Sequence, residues 1–356
     1  MLYTTQDDPR SLLPALAAGT PDDETIVIVA GADDRFAIGL TVALSSALRH
    51  LDQSRRTQLY ILDGGLSQPS RERCRSALAR ARPDAEVNFV DSDPSRFSGY
   101  REHGYTRAAY LRLLIPEVVP EHHRRVLYLD SDVVVGDDIA KLWALPDEGK
   151  VFWAAFDEGV RRKHYVPTFD FTNFPEGTPY FNSGVMLIDL PRWKAARVSE
   201  QAQAILADHS DQCRAVDQDA LNVAGRGIWS VLPAAWNLQV TGMKLWSPMP
   251  AEAGAPIGVI HYLGPKPWMR ETQSLRQGVF DDALQASGWF TPLDFLRYRM
   301  VKRITDWARI RCRVGEAIAC PLGGAPNSLN HGHATLCPSY DEHRSGGDQR
   351  ILSQSH

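Results

Sequence analysis

Ten residues, 126–135, constrain this chain more than any others: they read VLYLDSDVVV. An apolar run of this length, rich in β-favouring residues, predicts a buried strand. Asp130-Ser131-Asp132 interrupts it before the valines resume. In extended backbone residues i and i+2 project to the same side, so both carboxylates aim at one point. Two desolvated carboxylates are costly unless something positive faces them. Strand ends in open α/β sheets are where ligands bind, and a hard divalent cation carrying a diphosphate would satisfy such a pair. An ordinary Asp-containing turn is the plainer alternative.

The rest of the first half alternates strand and helix signals. Strands are expected at 24–30 (stopping at Gly31), 58–62, 86–90 and 125–130, with helices at 37–51, 71–82 and 105–114. This alternation predicts a mostly parallel sheet with helices on both faces. Beyond it, 151–156, 180–190 and 257–263 read as strands, and 191–209 as one helix opened by Pro191. From Gly315 the composition turns to Gly, Pro, Ser, Asn and His, which predicts a disordered tail.

Composition narrows the function. The 356 residues carry 39 Lys+Arg and 43 Asp+Glu, a net charge of −4. That argues against nucleic acid as a partner, which calls for a basic footprint. The five cysteines are odd in number and contain no C-x-x-C pair, so a disulfide framework is not expected. The N-terminus lacks the basic and apolar regions of a signal peptide, and no run of about 18 apolar residues is present. The expected location is therefore cytoplasmic. Cys312, Cys320, His331, His333 and Cys337 match no common zinc-ligand spacing.

A strand followed by D-x-D-x-[TV] also resembles the haloacid-dehalogenase-type phosphohydrolases, in which the first Asp is the nucleophile. The later GD-x3-D element that this resemblance demands is missing. Further segments point elsewhere: GADDRF at 31–36, YLR at 110–112, YFNSGVMLID at 180–189 followed by PRW, DQDALN at 217–222 and HYLGPKPW at 261–268. In this order, and over roughly residues 25–270, they resemble glycosyltransferase family 8, which contains bacterial lipopolysaccharide galactosyl- and glucosyltransferases and the glycogenins.

That resemblance implies a GT-A-type α/β fold and a retaining transfer of galactose or glucose from a UDP-sugar to a glycan hydroxyl, with Mn²⁺, or Mg²⁺ in its place, as cofactor. Asp130 and Asp132 match the family's D-x-D metal ligands, with Ser131 between them, and His261 matches its third metal-binding side chain. Gly264 and Lys266 would meet the diphosphate, and Arg112 would share that anionic neighbourhood. Gly31, Ala32 and Asp33 would hold the uridine and ribose. Asn182, Asp157 and Asp217 would line the sugar pocket. Gln218 matches the position on the sugar face opposite the leaving group; as an amide it is a poor nucleophile, which favours front-face attack by the acceptor. Arg35 and Phe36 stand where Asn and Tyr are usual in bacterial members.

Residues 289–314 place Leu293, Leu296, Met300, Ile304, Trp307 and Ile310 at three- or four-residue steps among seven basic residues. A basic amphipathic helix of this kind suits an anionic membrane surface; the alternative is a helix packed on the domain with its basic face in water. The implied acceptor is a lipopolysaccharide or other cell-surface glycolipid, and the implied location is the inner face of the cell membrane. The expected organisation is an extension (1–23), a catalytic domain (24–275), a basic helical segment (276–314) and a tail (315–356). A non-catalytic relative that binds sugar nucleotide and a self-glucosylating, glycogenin-like protein remain as competing readings.

Overall fold

The computed structural model describes residues 25–302 apart from 165, 166, 168, 170, 173, 176, 243, 248–255 and 270–273. Expectations about 1–24 and 303–356, the zinc alternative among them, lie outside the described residues. The described residues belong to one compact unit, residues 1–307.

Seven strands form the main sheet: β1 (Thr25–Ala32), β2 (Arg56–Asp63), β3 (Glu86–Asp91), β4 (Arg125–Leu129), β6 (Phe152–Phe156), β7 (Phe181–Asp189) and β8 (Trp229–Val231). Their order is β3-β2-β1-β4-β7-β6-β8. The pairs β1–β2, β2–β3, β1–β4 and β6–β8 are parallel, while β7 runs antiparallel to both β4 and β6. The sheet is thus mostly parallel, with helices packed on it. β1 extends two residues past the expected stop, because Gly31 and Ala32 still pair with Leu62 and Asp63 of β2.

A second sheet, which the sequence did not reveal, joins β5 (Val133–Val135), β9 (Leu238–Thr241), β10 (Lys244–Leu245) and β11 (Val259–Leu263) in the order β10-β9-β11-β5. The chain leaves the large sheet at Leu129 and enters the small one at Val133. The interruption in the 126–135 run is therefore the hinge between two sheets.

Helix α1 (Ala37–His50) is buried along most of its length, with Leu40, Leu44, Ala47 and Leu48 fully enclosed. Burial of each such leucine contributes about 1.5–3 kcal/mol before entropy is charged against it. Helix α2 (Gln68–Ala81) starts where Ser67 Oγ accepts the Ser70 N–H at 3.4 Å, with Pro69 in its first turn.

Two helical expectations change in form. Residues 107–114 are a 3-10 helix, Arg107–Leu114, without a side-chain cap. The single helix expected at 191–209 is two, Leu190–Ala195 and Val198–His209. Arg197 separates them in the left-handed region (φ 52°, ψ 40°), a conformation that cannot propagate a right-handed helix. Pro191 does open the first, whose cap is the Asp189 carboxylate accepting Arg192 N–H at 2.9 Å.

The core continues past residue 275. Phe280, Leu284, Trp289 and Phe295 belong to the same buried cluster as β1 and α1. The helix Gln277–Ser287 packs on α1 and α2, and Arg49 and Arg80 donate to the carbonyls of Ala286 and Gly288. Residues 292–302 are helical. Among the described residues, no helix is long and apolar enough to cross a membrane.

Candidate active site

Parallel pairing brings the carboxyl ends of β1 and β4 to one edge, and antiparallel β7 begins at that same edge. Gly31, Asp130 and Asn182 therefore gather there. Ser131 Oγ donates to the Gly31 carbonyl at 2.7 Å and ties the hinge to the end of β1. The Asp130 N–H donates to the Gly184 carbonyl at 2.8 Å. Between β6 and β7 the register jumps, so that Ala154 faces Met186 while Ala155 faces Asn182. This bulge leaves Ser183–Val185 without partners on β6. Gly184 has to be glycine: a Cβ there would lie 2.2 Å from His261 Cε1 and 2.7 Å from Asp130 Oδ2.

His261, on β11, arrives from the small sheet opposite Val133 of β5. It completes a cluster with Asp130 and Asp132 in which one donor atom from each lies within 4.8 Å of the others. His261 Nε2 is 3.1 Å from Asp132 Oδ1 and 3.7 Å from Asp130 Oδ2. His261 is 2% exposed and Asp132 7%.

A chain of amides fixes which histidine nitrogen carries the proton. Asp157 uses both oxygens as acceptors: Oδ1 takes Val160 N–H at 3.0 Å, and Oδ2 takes the amides of Asn182 (3.2 Å) and Gln218 (3.1 Å). Asn182 thus turns its oxygen to Asn237, whose Nδ2 donates at 2.9 Å. Asn237 in turn offers its own oxygen to His261 Nδ1 at 3.0 Å. Nδ1 is then the donor, and Nε2 presents its lone pair to the carboxylates. Asp132 Oδ1 is buried without a hydrogen-bond donor. Two electron-rich atoms 3.1 Å apart call for a cation between them, so the residues present fit a divalent metal.

Two basic side chains flank the cluster. Lys266 Nζ lies 2.5 Å from Asp132 Oδ2 and also donates to the Tyr262 carbonyl at 3.1 Å. Burial opposes charge on Asp132, yet the Lys266 ammonium beside it holds its carboxyl well below the usual range. Arg112, 6% exposed, reaches Asp130 Oδ1 and Asp217 Oδ2, each at 2.8 Å, and donates to the Ser183 carbonyl at 2.7 Å. Although burial disfavours its charge, the carboxylates of Asp130 and Asp217 raise its pKa further above the ordinary arginine value. A solvated arginine on a helix face, the plain alternative, is not what the fold provides. Tyr128 also donates to Asp130 Oδ1 at 2.8 Å.

The neighbouring corner is built from amides. Gln218 Oε1 accepts Ser183 N–H at 3.1 Å, and its Nε2 contacts Asp157 and Tyr180 OH. Tyr180 OH donates to Asp219 Oδ1 at 2.5 Å. Asp217 starts the helix Asp217–Ala224 after Val216, a β-branched residue held at φ 48°, ψ −120°. Such a conformation costs on the order of 1–3 kcal/mol and persists only where its surroundings enforce it. Burial pushes the Asp217 carboxyl up to about 7, offset in part by Arg112.

The remaining expected residues lie around this centre. Gly264 has φ 69°, the region that favours glycine, and begins the loop that carries Lys266. Ala32 ends β1 and is buried. Asp33 caps the short helix Asp34–Phe36, its Oδ1 accepting Arg35 N–H at 3.0 Å. Asn237, Ser183, Tyr128 and Tyr180 were not singled out from the sequence. Only WNLQ at 236–239, an Asn and a Gln on a buried strand approach, could have flagged Asn237.

The comparisons agree with this geometry. Residues 27–272 match the family model Glycosyl transferase family 8. General stress protein A of Bacillus subtilis is 29% identical over 282 residues, covering 76% of this chain and 96% of that protein. The lipopolysaccharide 1,2-glucosyltransferase of Escherichia coli K12 is 31% identical over 193 residues, 52% of this chain and 56% of that protein. The solved galactosyltransferase LgtC, in complex with donor and acceptor sugar analogues, superposes with a TM-score of 0.63 at 24% identity over 77% of this chain and all of that one. It shares the GT-A fold seen here. The phosphohydrolase alternative is not favoured by any of these matches. With most of its length matched and its acidic hinge facing a histidine and two basic side chains, the chain belongs to glycosyltransferase family 8 and is a glycosyltransferase.

Proposed function

We propose that the protein moves a hexose, galactose or glucose, from a UDP-sugar to a glycan hydroxyl with retention of configuration. The observation that carries this is the facing pair of His261 Nε2 and unsatisfied Asp132 Oδ1 beside Lys266 and Arg112. Asp130, Asp132 and His261 would hold Mn²⁺, with Mg²⁺ as the alternative. When bound, such a cation supplies Lewis-acid stabilisation of charge on the departing diphosphate.

The chain's own residues do the rest. Lys266 exchanges its contact with Asp132 for a diphosphate oxygen, and Gly264 lets the backbone come close to it. Arg112 holds Asp130 and Asp217 in place and offsets part of their negative charge. Gly31, Ala32 and Asp33, with Ser131 beneath them, carry the nucleoside. Asp157, Asn182 and Asp217 take the sugar hydroxyls; the hydrogen bond from Asn182 to Asp157 and the ion pair of Asp217 with Arg112 fix that wall in advance. Gln218, held through both ends of its amide, lines the far face of the sugar. An amide is a poor nucleophile, which favours attack by the acceptor on the face the diphosphate leaves.

The acceptor we favour is a lipopolysaccharide or other surface glycolipid, in keeping with the named activity of the Escherichia coli relative. Leu293, Leu296 and Met300 are 57%, 54% and 54% exposed, whereas Phe295 of the same helix is buried. The apolar stripe in the sequence is thus the face turned to solvent. With Arg297 and Arg299 beside it, this stripe would rest on an anionic membrane at the inner face of the cell membrane. Residues 303–314, which would extend it, lie outside the described residues.

The test is UDP release from a panel of UDP-hexoses with Mn²⁺ or EDTA. Metal-dependent hydrolysis of one donor is the expected result. Failure of UDP to bind with Mn²⁺ present would overturn the nucleotide reading, and binding without turnover on any donor or acceptor would favour a non-catalytic relative.

A further inference from the structure

Lys266 reaches Asp132 from the loop Gly264-Pro265-Lys266-Pro267-Trp268. Its two prolines have no backbone N–H, so the loop is poorly equipped to tie itself to neighbouring strands. The C-terminal helices hold it instead. Three donors converge on the Pro267 carbonyl: Gln277 Nε2 at 3.0 Å, Tyr298 OH at 3.2 Å, and Lys302 Nζ. Gln277 opens the helix Gln277–Ser287, and Tyr298 and Lys302 sit one turn apart on the helix 292–302.

A carbonyl oxygen has two lone pairs, so three donors exceed what a stray backbone group requires. One of the three is an ammonium group on a residue only 7% exposed, and burying that charge is costly. The next residue is clamped as well. Trp268 stacks on Phe280 with centroids 5.7 Å apart, meets Phe36 edge-on at 5.5 Å, and donates its indole N–H to the Arg35 carbonyl at 3.3 Å. Lys266 is thus placed from one side by β11 and from the other by residues 11 to 36 positions further along the chain.

We propose that Gln277, Tyr298 and Lys302 are positioning residues of the nucleotide site. By fixing the Pro267 carbonyl they hold Lys266 at the diphosphate position, which makes the helix 292–302 part of the catalytic unit. This rests on the reading of Lys266 as the diphosphate's cation. Coupling of this kind is reciprocal: a nucleotide that orders the loop also orders the helix.

The experiment uses the full chain and its variants Lys302→Met, Tyr298→Phe and Lys302→Arg, with Glu200→Ala on the exposed face of the helix Val198–His209 as a control. Amide hydrogen exchange is followed in peptides covering 262–269 and 292–302, with and without UDP and Mn²⁺, beside the Kd for UDP. In the ligand-free protein, Lys302→Met should speed exchange in 262–269, and Lys302→Arg should restore it. Its UDP affinity should fall about 5- to 150-fold, the range of ordinary site-to-site coupling, with Tyr298→Phe showing a smaller loss of the same kind. UDP should slow exchange in 292–302 of the unsubstituted chain, and Glu200→Ala should change none of these. Unaltered loop exchange and UDP affinity in both Lys302→Met and Tyr298→Phe would overturn the proposal. If the unsubstituted chain does not bind UDP, the nucleotide reading falls by itself. Loop exchange in the ligand-free variants then decides whether the helix holds the loop.

Discussion

Two corners of one site treat buried carboxylates in opposite ways. At the hinge between the sheets, Asp132 faces the Lys266 ammonium and is held well below the usual carboxylate range. One helix away, Asp217 is as deeply buried, has Arg112 as partner, and is nevertheless pushed up to about 7. Arg112 also serves Asp130, so Asp217 receives a shared cation, while Asp130 and Asp219 add like charge. A buried acid stays ionised only when nearby positive charge exceeds both its desolvation cost and the repulsion of neighbouring acids. The first corner is suited to hold cations and diphosphate. The second, made mostly of amides, is suited to recognise hydroxyls.

The largest expected contrast separates the corners by function. Asp132→Ala should weaken Mn²⁺-dependent UDP binding by more than about 100-fold, because a coordinating side chain is lost. Gln218→Ala should leave that affinity within about twofold and slow turnover of the sugar donor, as expected when an interaction with the reacting sugar is removed. Calorimetry and initial rates on both variants check this, and equal loss of UDP affinity in both would erase the distinction.

Next comes Asn237→Ala. Without the oxygen that accepts from Nδ1–H, His261 can change tautomer, and removal of such outer partners typically costs 10- to 100-fold in metal affinity. Asn237→Asp, which keeps the acceptor, should recover part of it. A Mn²⁺ titration read by paramagnetic resonance measures this without any turnover.

A smaller effect concerns pH. Asp217 holds its proton more tightly folded than unfolded, where its pKa is about 4. Between those values the native state carries the extra proton, so this group's contribution to stability is complete below about 4. It is lost as pH rises through about 7. Thermal unfolding from pH 4 to 8 should therefore slope less steeply downward in Asp217→Asn than in the unsubstituted chain. An unchanged slope would mean that Arg112 fully compensates the acid. Smallest of all, Tyr128→Phe removes one donor from Asp130 while Arg112 remains, and should cost about 1 kcal/mol of metal-dependent UDP affinity.

Much of the first corner was legible in sequence because it rests on local rules. Apolar runs predicted β1, β2, β3 and β4 to within a few residues, and the D-x-D spacing singled out Asp130 and Asp132 together, although the chain turns at 131–132 where extended backbone was expected. The helix at 191–209 was misread as continuous because proline placement predicts where a helix opens. Nothing in the string marks Arg197 as left-handed. The amphipathic stripe at 293, 296 and 300 was legible as a pattern, but which way it faces depends on Phe295 and Tyr298 finding the domain.

The sequence by itself determined the alternation of strand and helix, the acidic pair that interrupts an apolar run and the family motifs, since each depends on neighbours a few positions apart. Only the tertiary structure decided that residues 130–132 lie between two sheets and that Asn237 sets the His261 tautomer. It alone also decided that one arginine is shared by two acids and that the C-terminal helices grip the Lys266 loop. The physical reason is the same in each case. These properties belong to partners that are far apart in the chain, and a charge, a proton or a loop takes its state from whatever folding places beside it.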